Sequence, residues 1–148
     1  MTKANTPKIP STMGLRHVAL KVSNLALSKS FYQKWFGMAV VWEPDADNVY
    51  MSSGVDNLAL HQIHRDDLKA HQLNHGQFLD HLGFLMKSSE SVDCLYEQVA
   101  KEGVKIVHHP KQHRDGSYSF YLADPDQIVI QVLYEPTISA IHFSNQGF

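Results

Sequence analysis

A chain of 148 residues that is 43% hydrophobic and 19% charged has the length and mix of one compact domain with a single core. Its formal charge of -2, with Lys and Arg scattered rather than striped, gives no electrostatic reason to expect a nucleic-acid partner. Residues 1–11 lack a secretory apolar stretch, no run approaches membrane-spanning length, and Cys94 is the lone cysteine, so a soluble cytoplasmic protein with no membrane partner is expected.

In chain order, Gly14 to Val22 reads as a strand, Ser23 and Asn24 as a cap, and Leu25 to Phe36 as a helix stopped by Gly37. Leu27, Phe31 and Trp35 fall on one face of that helix at steps of four, with Leu25, Tyr32 and Phe36 beside them. Three β-type runs follow, Met38 to Trp42, Asn48 to Ser52 and Asn57 to Ile63. Residues 64–77 read as a polar linker. The same order then recurs: a strand from Phe78 to Lys87, and a helix opening at Ser88, Ser89 and Glu90 with Val92, Leu95, Tyr96, Val99 and Ala100 on one face, stopped by Gly103. Runs at Val104 to His108, Ser117 to Leu122 and Ile128 to Tyr134 complete the second half, and the tail 136–148 has no clear period. The expected organisation is therefore α+β, with modules at 14–63 and 78–135 within one compact domain. Ten histidines stand out, of which His64, His71, His75, His108 and His109 fall in polar connecting segments and read as surface residues; His142 lies outside the repeats.

Strand alternation assigns faces to the others. Val18, Leu20 and Val22 oppose His17 and Ala19, and Leu82, Phe84 and Met86 oppose His81 and Gly83. The large apolar sets must lie under the helices, so His17 and His81 point to the helix-free side, each beside a very small residue. In the last strand of each half, His61 and Gln131 fall on that side too. Four lone-pair donors on the helix-free side of two repeats form the pattern of a metal site between sheets.

The repeat resembles the vicinal oxygen chelate superfamily, which includes glyoxalase I, extradiol dioxygenases, methylmalonyl-CoA epimerase, fosfomycin resistance proteins and bleomycin-binding proteins. The residues that carry the likeness are Arg16-His17-Val-Ala-Leu-Lys-Val, Ser30-Phe31-Tyr32 through Phe36-Gly37-Met38, His81-Leu-Gly-Phe, and Phe120-Tyr-Leu-Ala-Asp-Pro-Asp-Gln-Ile-Val-Ile-Gln131. They span nearly all of 14–135. Two departures stand in the last motif: Gln127 replaces the usual glycine, and Gln131 the usual glutamate ligand. The resemblance implies two βαβββ modules whose mixed sheets form a concave cup with a helix on each convex face. Relatives complete the site by pairing modules within one chain or across a two-fold dimer, and a homodimer is expected here.

Imidazole donors suit Fe, Ni, Co or Zn as a divalent ion, with the Gln131 amide oxygen as a weak fourth ligand. A set without carboxylate leaves the metal its full charge and favours anionic, bidentate oxygen substrates. A neutral glutamine cannot shuttle a proton as the relatives' glutamate does, which turns the expectation from lyase or isomerase chemistry toward dioxygenase-type chemistry on a small oxygenated molecule. His113, Tyr118 and Tyr121 are candidates for acid-base or hydrogen-bonding roles near the cup, against ordinary core or edge roles for the tyrosines. The competing function is a non-catalytic antibiotic- or metabolite-binding protein of the bleomycin-resistance type, with Trp42, Tyr50, Tyr118 and Tyr121 lining its pocket.

Overall fold

Each half of the chain folds as strand, helix and three strands, in the α+β arrangement expected. The computed structural model describes residues 15, 17–69, 79, 81–114 and 116–136. Residues 70–77 of the linker and 137–148 of the tail, with His71, His75 and His142, lie outside the described residues. The first module consists of β1 (His17–Val22), α1 (Leu25–Phe36), β2 (Ala39–Asp45), β3 (Asn48–Ser52) and β4 (Asn57–Gln62). The second consists of β5 (Leu82–Leu85), α2 (Ser89–Lys101), β6 (Ile106–Gln112), β7 (Tyr118–Ala123) and β8 (Val129–Tyr134).

Both helices start and stop where their sequences direct. The Asn24 side chain accepts from the Leu27 amide and that of Ser88 from the Ser91 amide. Gly37 closes α1 in the left-handed region at φ 61°. Each module forms a four-stranded mixed sheet, in the orders β1-β4-β3-β2 and β5-β8-β7-β6, with the first pair parallel and the rest antiparallel. The outer strands β2 and β6 run further than their sequences predict, passing through Pro44 and Pro110. Both are edge strands, where a residue without an N–H is tolerated.

One core serves both modules. It joins Leu20, Val22, Leu58 and Leu60 of the first sheet with Phe120, Leu122, Ile130 and Val132 of the second. Helix α1 mediates this union. Phe36 stacks on Phe84 of β5 with ring centroids 3.9 Å apart, and the buried Tyr32 hydroxyl donates to Asp124 Oδ2 at 2.9 Å. Asp126 adds a second link by accepting from the Ser23 amide at 3.0 Å. The buried face of α1 is consequently Leu25, Ser28 and Tyr32, and Leu27, expected at the centre of the apolar stripe, is 58% exposed. The expected face is rotated because α1 packs against two modules, and its second partner is a polar loop that receives Tyr32 and Ser28.

The Asp124-Pro-Asp-Gln127 turn carries a strained residue. Gln127 has φ 67°, a left-handed conformation that costs a side-chain-bearing residue about 1 kcal/mol relative to glycine. Its side chain is exposed and accepts from Lys105 Nζ, a contact of small energetic value at the surface. Gln127→Gly is expected to stabilise the fold by about 1 kcal/mol, a rise of several degrees in thermal midpoint; an unchanged or lower midpoint would contradict the strain.

Candidate functional site

With the helix-bearing faces turned into a shared core, the helix-free face of each sheet is left open. On the first sheet, His17, Ala19 and Lys21 of β1 are all exposed, as is Trp42. On the second, Gly83 and Leu85 are exposed and His81 half-buried. The alternation read from the sequence therefore places His17 and His81 on the expected faces. Gly83 keeps its face low: a Cβ there would lie 3.3 Å from Leu133 Cδ2.

Strand register relates the two faces residue by residue. Tyr50 is paired with Ala59 and Tyr121 with Gln131; Ala59 in turn is paired with Ala19, and Gln131 with Gly83. Since Ala19 and Gly83 each follow a matched histidine by two residues, Tyr50 and Tyr121 are repeat-equivalent, and so are Ala59 and Gln131. The position in the first module that corresponds to Gln131 thus carries no donor and is fully buried. His61 lies one pleat beyond it, opposite Lys21, whereas His17 is opposite Asn57. Four residues of strand, about 13 Å, separate the levels of His17 and His61. The Tyr50 ring touches both, with centroids 6.1 Å from His17 and 6.2 Å from His61.

Two neighbours define the donor atoms left on these faces. Asn57 Oδ1 can only accept, so His17 Nδ1 donates to it at 2.7 Å, leaving Nε2 as the ring's other nitrogen. Likewise Gln131 donates its Nε2 to Ser119 Oγ at 3.0 Å, leaving Oε1 as the amide's other polar atom. Ser119 is buried and also exchanges a hydrogen bond with His113 Nε2 at 2.8 Å. His61 is held in its own way, donating from Nδ1 to Asn48 Oδ1 at 2.7 Å.

The structure brings the expected residues together in two groups, His17 with His61 about Tyr50, and His81 with Gln131, Tyr121 and His113 on the second sheet. Among the described residues, no three of His, Cys, Asp and Glu converge as one metal-holding group. Tyr118 does not join them. It lies an odd number of residues from Tyr121, so alternation turns it to the helix side, where its hydroxyl donates to Asp93 Oδ1 of α2 at 2.7 Å; that hydrogen bond is the main reason its phenol stays above the usual tyrosine range. His108 and His109, read as connecting-segment residues, lie within β6. His108 packs T-shaped against Tyr121 at 5.4 Å, as His81 does at 5.5 Å, while His109 Nδ1 shares a hydrogen bond with the Tyr96 hydroxyl. The run expected at Val104 to His108 stopped short of Pro110, and β6 continues through it to Gln112. A cavity of about 620 Å³ opens here, lined among others by His81, His108, Lys111, His113, Ser119 and Tyr121.

Two βαβββ modules sharing one core, with His17 opening β1 and His81 immediately before β5, have the architecture of the vicinal oxygen chelate fold. The chain belongs to the Glyoxalase/Bleomycin resistance protein/Dioxygenase superfamily, whose model matches residues 14–132. It is 25% identical over 134 residues to the uncharacterised protein YqjT of Bacillus subtilis, covering 80% of this chain and 97% of that one. Among solved structures, a lactoylglutathione lyase from Agrobacterium tumefaciens superposes with a TM-score of 0.65 at 20% identity, covering 84% of this chain and 95% of that one. A glyoxalase-related enzyme from Fulvimarina pelagi gives 0.66 at 18% identity, covering 84% and 90%. At these identities the structural likeness concerns the fold. No helix among the described residues is long and apolar enough to cross a membrane.

Proposed function

We propose that the chain is a metal-dependent enzyme acting on a small oxygenated molecule, with its site completed where the first sheet of one copy meets the second sheet of another. The observation that carries this reading is the placement of His17 and His81. They are repeat-equivalent, yet they stand on separate open faces of one chain, each with its ring against an equivalent tyrosine. A second copy, related by a two-fold axis, can bring a first-sheet face beside a second-sheet face twice over.

The donors fit a divalent ion of the Fe, Ni, Co or Zn type: His17 through Nε2, His81, and Gln131 through Oε1. Hydrogen bonds to Asn57 and Ser119 orient two of these three, as partners of ligating groups commonly do. Such an ion would supply Lewis acidity toward substrate oxygens. The chain supplies no carboxylate at the Gln131 position or at its counterpart Ala59, so neither position offers a proton shuttle at the metal. That absence favours dioxygenase-type over lyase or isomerase chemistry. The test is metal analysis together with solution mass on protein purified without chelators. A dimer that takes up about one transition-metal ion per site supports the reading, whereas a monomer that takes up less than about a tenth of an equivalent after reconstitution overturns it.

Gln131→Glu probes the missing carboxylate. Adding a charged oxygen donor where the amide stands is expected to tighten metal binding by about tenfold to a hundredfold, or about 1.4–2.8 kcal/mol, read by competition with a chelating dye. Unchanged affinity would remove residue 131 from the ligand set.

The second reading, a non-catalytic binder of an antibiotic or metabolite, is favoured by one observation: the Ala59 position is buried and donor-free, beside an open aromatic pair of Trp42 and Tyr50 with centroids 4.8 Å apart. That reading wins if His17→Ala and His81→Ala leave ligand affinity intact in metal-free protein.

A further inference from the structure

We infer that the open face of the second sheet holds an oxyanion subsite, which binds the carboxylate or phosphate group of a small-molecule substrate. The inference deepens the functional reading above and rests on it for the word substrate; the subsite itself lies within one chain.

The observations are these. His81 and His108 both pack T-shaped against the Tyr121 ring, with interplanar angles of 87° and 90°. One step along β7, Lys111 is the register partner of Ser119, and His113 hydrogen-bonds the Ser119 hydroxyl. These side chains line one cavity of about 620 Å³, and among the described residues that line it none is Asp or Glu. Lys111 supplies a fixed positive charge, and imidazole N–H groups and the tyrosine hydroxyl supply directed donors, the combination that selects a small oxyanion.

The repeat provides an internal comparison. Through the pairings Trp42 with Tyr50 and Asp45 with Asn48, the positions equivalent to His108 and Lys111 in the first module are Trp42 and Asp45. Asp45 is engaged by the Asp47 amide and the Asn48 side chain, which hold its carboxyl below the usual range, the Asn48 bond most of all. The fold therefore does not require a cation here. At these two positions the second sheet carries basic groups, and the first an aromatic and an acidic one.

The test is titration of the whole chain with inorganic phosphate and with malonate, against sodium chloride at matched ionic strength, followed by amide and imidazole NMR shifts. Saturable shifts centred on His81, His108 and His113 are expected. Lys111→Glu should weaken binding at least tenfold, and Asp45→Asn on the other sheet should change it less than twofold. Preference for phosphate assigns a phosphate ester, and preference for malonate a carboxylate; either supports the subsite. No saturation by about 50 mM of either anion, or equal affinity in Lys111→Glu, overturns it. Lys111 is exposed, so its replacement leaves the core untouched. Metal content and mass measured on the same samples separate the two readings. A metal-loaded dimer that ignores both anions refutes the subsite alone, and a metal-free monomer that binds them refutes the metal-site reading alone.

Discussion

Asp124→Ala is expected to lower the unfolding free energy by about 3 kcal/mol. Asp124 is 2% exposed and accepts three hydrogen bonds, from the Tyr32 hydroxyl and from the amides of Asp126 and Ile128. Alanine strands these donors, and a buried donor without an acceptor costs about 1–3 kcal/mol. Burial also drives the Tyr32 phenol far above its ordinary range, with the Asp124 charge adding to the effect, so Tyr32 remains a donor at every working pH.

Tyr32 belongs to α1 of the first module and Asp124 to a turn of the second, so the loss should be cooperative across both halves. In a double-mutant cycle with Tyr32→Phe, urea unfolding followed by tryptophan fluorescence should show coupling of about 1 kcal/mol or more. A total loss below about 1 kcal/mol for Asp124→Ala would show that the two modules do not depend on this bond. The pH dependence has a defined sign. Burial, acting against the three hydrogen bonds, holds the Asp124 carboxyl above its ordinary value of 3.8, so over the interval above 3.8 the native state keeps a proton that the unfolded chain has released. That stabilisation is complete below the unfolded value and is lost as pH rises through the native one. The gap between wild type and alanine variant should therefore narrow from acid toward neutral pH.

His81→Ala is expected to reduce metal affinity at least a hundredfold, whereas His61→Ala should change it less than threefold. The contrast follows from strand register. A bond of about 2.1 Å to each imidazole requires the ligating nitrogens to converge on one point, and His61 sits about four residues along the sheet from the level of His17, opposite Lys21. Calorimetric titration with Zn or Co on both variants reads the difference directly. Equal losses in the two would return His61 to the ligand set and require β4 to shift its register, while equal retention would remove the metal from the site. Replacement of His61 should instead disturb the Asn48 contact and the edge of Tyr50.

Much of this site is legible from spacing alone. Period-two alternation places His17 and His81 on the helix-free faces because apolar residues at 18, 20 and 22, and at 82, 84 and 86, must be covered. The same rule separates Tyr118 from Tyr121, since residues three apart on a strand look opposite ways. Alternation assigns a face but not a height, however. His61 shares the correct face with Ala59, and only the pairing of β1 with β4 shows that Ala59, and not His61, corresponds to Gln131.

By itself, then, the chain's order of apolar periods, caps and stops determined two βαβββ modules, their helices, and the side of each sheet on which the first-strand histidines stand. These are local properties, set by neighbours a few residues away. Tertiary structure alone decided the register of parallel strands distant in sequence, the rotation of α1 toward Asp124, and the outward turn of both open faces. Each of these depends on which surfaces meet across the shared core, and contacts between residues some 40 to 100 positions apart leave no periodic trace in the chain.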